Sequence, residues 1–259
     1  LAINFSFQDF YLQDLSKTGY VGFKNYFYLF NERNFLSSLV TTLIFVISII
    51  LFTVTLGLAL SVLLNQDFYG KGLTRILVIS PFLVAPTVAA GIWKLMLMSP
   101  TFGLFKWVSK SFGYNPIDWF GDLPLFSIII IVCWQWLPFA LLILLTALQS
   151  LPKDQVEAAR IDGANELQIF ISITINHLKR PIAIVIMLET IFVLNLFAHI
   201  YSTTNGGPGN ATTNLPYLIY QKALLDYDVG GAAAGGIIAV IFANIVAFFL
   251  LSFLSKNIN

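Results

Sequence analysis

Hydrophobic positions gather into five long runs, approximately 37–64, 74–98, 125–148, 182–203 and 230–255, with polar segments between them. Each is long enough for the roughly 20 residues that a helix needs to cross the hydrocarbon core of a bilayer. Helices are the form such runs take, because hydrocarbon leaves each backbone group to be satisfied within its own segment. The pattern predicts an all-α, polytopic membrane protein with five transmembrane helices. Pro81, Pro86 and Pro138 fall inside the runs. They predict kinks or unwound turns, which membrane proteins tolerate where a cavity is lined.

Residues 1–36 precede the first run and mix charges with aromatics, among them Phe5, Phe7, Phe10, Tyr11, Tyr20, Phe23, Tyr26 and Phe27. Such a mixture suits a membrane–water interface, where rings rest at headgroup level. A small soluble cap fits it as well. There is no basic n-region followed by an apolar h-region, so this is not a cleavable signal. The first residue is Leu1, which leads us to expect that the sequence begins inside a longer protein.

The longest charged interruption is the loop 149–181. It carries Lys153, Asp154, Glu157, Arg160, Asp162, Glu166, Lys179 and Arg180, eight of the 27 charged side chains. Five spans put this loop, 65–73 and 256–259 on one side of the membrane. Lys and Arg are equally numerous on both sides, but this side is about half as long, so its basic density favours calling it cytoplasmic. Within the loop, Pro152 can start a helix with Asp154 and Glu157 in its first turns. Ala158-Ala159 keep one face smooth, and Gly163 breaks or caps the helix. A second helical piece, from Ala164 to about Ile171, leads back to the membrane at Pro181. A short helix of small residues ending in a glycine turn is shaped to enter a groove on another protein. An amphipathic interfacial loop is the plainer reading.

Composition narrows the possibilities further. Only 10% of residues are charged, against about 25% in soluble domains. A net charge of +1 leaves no basic excess to neutralise phosphates, so nucleic acid is not a partner. Cys133 is the single cysteine, so no disulfide forms within the chain, and no His/Cys cluster points to a metal. No GxxxxGK[ST] is present, so the chain does not bind ATP in the P-loop manner.

Polar residues inside apolar runs are costly and become candidates for function. Glu189 has no basic residue in its own run, which leaves protonation, or a hydroxyl or amide partner. On a continuous helix, Glu189, Val193, Leu196 and Ile200 share a face, flanked by Asn195 and His199. Trp134-Gln135-Trp136 stand just before Pro138, and Asn244 lies in the last run. One reading is a site for a hydroxylated ligand, with aromatic walls for C–H faces and amide and carboxyl groups for hydroxyls. The other is hydrogen bonding between packed helices. Asn244 fits the second better, Glu189 and Gln135 the first, and His199 either.

Four stretches carry a family resemblance. Glu157-Ala158-Ala159-Arg160-Ile161-Asp162-Gly163-Ala164, followed by Gln168-Ile169-Phe170 and Ile173-Thr174, resembles the EAA motif of importer-type ABC transporter permeases, in particular those of the maltose and glycerol-phosphate type. Val21-Gly22-Phe23-Lys24-Asn25-Tyr26, Ile92-Trp93-Lys94 and Gly206-Gly207-Pro208-Gly209 resemble further segments of that family, in the same order. Two features depart from it. Ile175-Asn176 stand where the family has Leu-Pro, which is expected to alter the turn after the coupling helix. The family core also has six spans, and its Val-Gly-Phe-Lys-Asn-Tyr-like segment follows the first, so the first helix is expected to be missing here.

The resemblance implies a bacterial inner-membrane permease subunit that is not itself an enzyme, needs no cofactor of its own and works by alternating access. Its partners would be a second, similar permease, two ATPases that bind ATP and Mg, a periplasmic binding protein and the lipid bilayer. Glu157, Ala158, Ala159, Asp162 and Gly163 would couple to the ATPases, and Gly206, Gly207 and Pro208 would meet the binding protein. Phe82, Gln135, Trp136, Glu189, Val193, Asn195 and Leu196 would hold the substrate, a sugar or sugar alcohol. Glu189-Thr190-Ile191-Phe192 and the segment Asp228 to Gly236 look most like permeases for polyols such as sorbitol or mannitol. The rival class is a proton-coupled secondary transporter. It lacks support from any internal repeat and leaves the charged loop unexplained.

Overall fold

The computed structural model describes residues 1–13 and 18–258. The amino-terminal segment folds as α1 (Ala2–Ser6), an antiparallel pair of two-residue strands, β1 (Gln8–Asp9) and β2 (Gly19–Tyr20), and α2 (Lys24–Asn31). The first apolar run is one helix, α3 (Arg33–Asn65). The second is divided into α4 (Lys71–Ile79), extended by a 3₁₀ turn at Ser80–Leu83, and α5 (Pro86–Gly91), which widens into a π-helical turn at Ile92–Leu97. After α6 (Leu104–Ser111), the third run forms α7 (Pro124–Gln149). The charged loop holds α8 (Lys153–Ile161) and α9 (Glu166–Ile169), joined through a π-helical turn to α10 (Ile175–Leu194). Then come α11 (Ala198–Thr203), α12 (Leu215–Tyr220) and α13 (Val229–Ile258).

Three of these helices, Arg33–Asn65, Pro124–Gln149 and the Val229–Phe249 part of α13, are long and apolar enough to cross a membrane, and they match the first, third and fifth predicted runs. The other two runs are interrupted, the first of them at one of the prolines for which a kink or unwound turn was expected. In 74–98 the break is at Val84 and Ala85, whose backbones are extended, and a new helix starts with Pro86 at its first position. The residue before a proline is driven out of the helical region by its ring, and the proline itself suits a helix start. Pro86 thus marks a break as predicted, whereas Pro138 lies inside the continuous α7.

In 182–203 the helix stops at Leu194. The Asn195 side chain donates to Ile191 O at 2.7 Å, the carbonyl its own backbone N–H would take in a helix, and that N–H turns to Phe192 O at 3.1 Å. The side chain thus satisfies a carbonyl that the end of the helix leaves free. Glu189, Val193, Leu196 and Ile200 therefore do not run along one helical face. At Ile175-Asn176 a changed turn was expected. Both residues lie at the start of α10, with no turn between α9 and Leu194.

The chain forms two units. The first comprises Leu1–Ser48, Ala85–Val132 and Ile191–Val246. Its core joins Leu29 and Phe35 to Leu215, Leu218 and Ala234. The amino-terminal segment is tied to this unit through Asn25, which donates to Ser6 O and Gln8 O at 2.9 and 2.8 Å, and through Tyr26, which donates to Ser6 Oγ at 2.7 Å. Phe10 O accepts from the backbone of Val229 and Gly230 at the start of α13. A Cβ on Gly230 would collide with Gln8 O, so only glycine permits that approach.

The second unit comprises Ile49–Val84, Cys133–Thr190 and Ala247–Asn259. Here α3 and α7 pack through Leu64, Leu141 and Leu145, and Ala140, Leu144 and Val185 bring in α10. At Gly57 an added Cβ would lie 2.9 Å from Ala140 Cβ and 3.3 Å from Leu141 N. Small residues at such a crossing let helix backbones approach and gain dispersion contacts, the main attraction left where lipid removes the hydrophobic drive.

Candidate functional site

The second unit holds both the charged loop and a cluster of polar and aromatic side chains. In the loop, α8 begins after Pro152, with Asp154 in its first turn and Arg160 in its last, as the helix dipole favours. Gly163 follows at φ +86, a left-handed conformation suited to glycine, with open space where a Cβ would be. The next helix starts with a reciprocal cap: Asn165 Oδ1 accepts from Gln168 N at 2.9 Å, and Gln168 Oε1 accepts from Asn165 N at 2.8 Å. Arg160 and Glu166 pair across the turn at 3.0 Å. Glu157, Ala158, Asp162 and Gly163 are exposed and Ala159 is half-buried. Ile161 and Leu167 are 86% and 66% exposed, so the turn presents large apolar side chains to its surroundings. Large apolar side chains exposed together on one loop are a common mark of a protein contact.

Behind this loop, His177 Nε2 lies 3.0 Å from Ala147 O and 3.2 Å from Ser150 Oγ, which ties α10 to the end of α7. Those two helices carry the polar cluster. Gln135 is buried on α7, and its Nε2 donates to Val84 O at 2.5 Å. Val84 is the extended residue that interrupts the second run, so Gln135 supplies a partner for a carbonyl removed from helical bonding. Next to it Trp136, and one turn further Phe139, meet Phe82. The ring centroids stand 5.6 Å (Phe82–Trp136), 5.9 Å (Phe82–Phe139) and 5.8 Å (Trp136–Phe139) apart, an arrangement of two edge contacts and one stack. Phe82 is 37% exposed.

Glu189 on α10 is fully buried. Thr53 Oγ1, on α3, donates to its Oε2 at 2.5 Å, and Oε1 has no hydrogen-bond partner among the described residues. Of the partners left open by the sequence, the structure selects a hydroxyl. Thr53 also lies 2.8 Å from Ile49 O, within reach of the same single hydroxyl hydrogen.

The remaining predicted residues belong to the first unit. Val193 and Leu196 are 1% and 5% exposed, while Asn195 is exposed. Gly206 is buried at φ +82, where a Cβ would collide with Thr213 Oγ1 and lie 2.8 Å from the Tyr217 ring. Its carbonyl accepts from Thr212 N at 3.0 Å and Thr213 Oγ1 at 3.2 Å. Gly206 therefore shapes the loop, Gly207 is half-buried, and Pro208, which follows a cis peptide bond, stands exposed at the tip. Within the same unit, Lys94 donates to Thr203 O at 2.5 Å, so the Ile92-Trp93-Lys94 stretch fastens the end of α11.

Thr53, Phe139 and Asn165 escaped the sequence reading. Phe139 was within reach as the residue three beyond Trp136, and Asn165-x-x-Gln168 is a legible cap. Thr53 carried no signal, since its partner is 136 residues away.

Residues 26–259 match the family described as "Binding-protein-dependent transport system inner membrane component". The chain belongs to this family. As such a permease component, it is similar to a probable ABC transporter permease protein, y4oQ, of Sinorhizobium fredii, at 36% identity over 88% of this chain and 74% of that protein. It is 38% identical to the trehalose/maltose transport system permease protein MalF of Thermococcus litoralis, over 82% of this chain and 73% of the relative. To the sn-glycerol-3-phosphate transport system permease protein UgpA of Rhizobium meliloti it is 30% identical, over 94% and 83%. A bacterial alginate ABC transporter solved with a pentasaccharide-bound periplasmic protein has the same fold, with a TM-score of 0.82 at 21% identity, over 92% of this chain and 84% of that one. The permease is thus a membrane-embedded subunit of an ABC importer.

Proposed function

We propose that this permease carries a sugar or sugar alcohol across the bacterial inner membrane. The observation that carries the reading is the placement of Phe82, Gln135, Trp136 and Glu189 in the same unit as the Glu157–Gly163 helix. Half-exposed aromatic rings suit the C–H faces of a polyhydroxylated ligand, and a carboxyl and an amide suit its hydroxyls. The names of the relatives, for trehalose/maltose and glycerol phosphate transport, support a small hydroxylated substrate. Between these, Glu189 favours a neutral ligand, because an ionised carboxyl would repel a phosphate.

Mechanistically, of two cytoplasmic ATPases that bind ATP and Mg, one would dock on the exposed face of α8, with the Gly163 turn fitting its groove, and the other on the second permease. Closure of the ATPases would push this helix. The push would reach α7 and α10 through the short connections at Ala147–Ser150 and His177, and rocking of these helices would alternate access to the site. The second permease would complete the translocation pore, and a periplasmic binding protein would deliver substrate to the loop that exposes Pro208.

The test is uptake of sorbitol, maltose and glycerol 3-phosphate into proteoliposomes that hold the assembled transporter and its binding protein. The expected result is uptake of a neutral polyol or sugar that requires internal ATP and survives a proton uncoupler. Uptake stopped by the uncoupler at constant ATP would overturn the reading in favour of a proton-coupled carrier.

A further inference from the structure

The first unit contains a cavity of about 450 Å³ with a mostly apolar lining of residues such as Leu194, Leu215, Ile219 and Phe242. Two amides interrupt that lining, Asn195 at the end of α10 and Asn244 in the middle of α13. The sequence suggested that Asn244 bonds between packed helices. Instead its Nδ2 donates to Val240 O of its own helix at 2.8 Å, as Asn195 Nδ2 does to Ile191 O at 2.7 Å. Both residues are exposed, and neither Oδ1 has a hydrogen-bond partner among the described residues.

An amide offers two donors and an oxygen with two lone pairs, so each side chain keeps one N–H and its acceptor unused. Leaving these groups in hydrocarbon is costly, which is why polar side chains on spanning helices face cavities or partners. Thr42 also lines the cavity, but its hydroxyl is committed: it donates to Ser38 O at 2.7 Å and accepts from Leu215 N at 3.0 Å, holding the first residue of α12 in the wall.

The geometry points to a binding place for a neutral, hydroxylated ligand in this cavity, held by Asn195 and Asn244, with no lining residue shared with the Phe82–Glu189 cluster. No charged side chain lines it, so an anion or cation would lose its hydration without a counter-charge. Its volume is within the roughly 300–1,000 Å³ of small-molecule sites, and an apolar wall with two amides in it fits alternating C–H and O–H groups. The assignment of ligand class rests on the reading as a sugar or polyol importer. Asn244 then acts as a specificity residue contributed by the last helix.

The test uses the assembled transporter in proteoliposomes, with sorbitol and maltose as substrates. Asn244→Leu should raise the apparent KM about tenfold, the loss of one to two hydrogen bonds to the ligand, while the complex stays assembled. Asn244→Gln, which keeps the amide, should recover most of the affinity. An unchanged KM in Asn244→Leu overturns the proposal, and so does loss of the partner permease from that variant, which would return Asn244 to helix packing.

A second measurement does not depend on the variant's transport. Asn244→Cys in a Cys133→Ala background should react with a membrane-impermeant thiol reagent, and saturating sorbitol or maltose should slow the reaction. No reaction, or a rate untouched by a sugar that the transporter does take up, overturns the site. If the unaltered transporter takes up neither sugar, the carbohydrate reading itself fails, and this ligand class with it. Failure with uptake intact belongs to the cavity alone.

Discussion

Thr53 Oγ1 stands 2.5 Å from Glu189 Oε2, with both side chains fully buried. This contact joins α3 to α10 and gives the most polar residue of the buried cluster its one side-chain partner among the described residues. Removing the hydroxyl leaves both carboxyl oxygens without a hydrogen bond. Thr53→Val should therefore destabilise the protein by about 1–3 kcal/mol, the cost of an unsatisfied buried group. Glu189→Gln keeps an acceptor and should cost less. Unfolding in detergent, run as a double-mutant cycle, reads the coupling directly. Thr53→Val as stable as the parent would mean that the contact contributes nothing.

Gln135 and Val84 make a second such pair. Gln135→Leu removes the donor from a carbonyl that the helix break has taken out of the backbone ladder. The expected loss is again about 1–3 kcal/mol. The same variant should weaken uptake of a polyol or sugar if the break forms part of the substrate site. Thermal stability and apparent KM are measured on one preparation, and a shift in neither rules out both roles.

At Gly163 the backbone is left-handed but the space around it is empty. Gly163→Leu should cost about 1–2 kcal/mol of backbone strain without a clash inside the subunit. The permease should still fold, yet lose ATPase association and uptake, since the leucine protrudes from the docking turn. Copurification with the ATPases decides it, and normal association with normal uptake would dismiss the docking role.

Asp228 provides a pH dependence outside the spans. Burial raises its carboxyl above the ordinary value, against the lowering effects of its hydrogen bond from Gly231 N at 2.7 Å and of Lys222. A carboxyl raised on folding means that the native state binds more protons than the unfolded one. Its ionisation therefore weakens the fold at neutral pH, and stability returns as pH falls through the folded value toward 3.8. Asp228→Asn retains the cap on α13 and removes this term, so its melting temperature should gain on the parent at neutral pH and lose that lead in acid. A constant difference across the range would exclude the linkage.

Much of this could be read in advance. The runs 37–64, 125–148 and 230–255 correspond to α3, α7 and α13, and Pro152 and Gly163 bracket α8 as their chemistry requires. Pro86 marks a real break, while Pro138 does not, because a bundle can tolerate a proline whose freed carbonyl finds other partners. The break at Asn195 was harder to foresee. Asn195 bonds the carbonyl four residues back just as Asn244 does within the unbroken α13, so the residue alone does not announce a break. The glycines divide in the same way. Gly163 is explained by its own φ, but Gly57 and Gly230 are explained only by Ala140 and Gln8, which approach them from distant parts of the chain.

Taken alone, the sequence determined that the protein is a helical membrane permease with an exposed charged loop. Hydrocarbon leaves a long apolar segment little choice but a helix, and the loop residues stand close together in the chain. Only the tertiary structure decided which polar groups meet. Thr53 reaches Glu189 across 136 residues, and Gln135 reaches Val84 across 51. Such pairings depend on the register and separation of packed helices. Those are set by many weak contacts and by small residues such as Gly57, so no local pattern announces them.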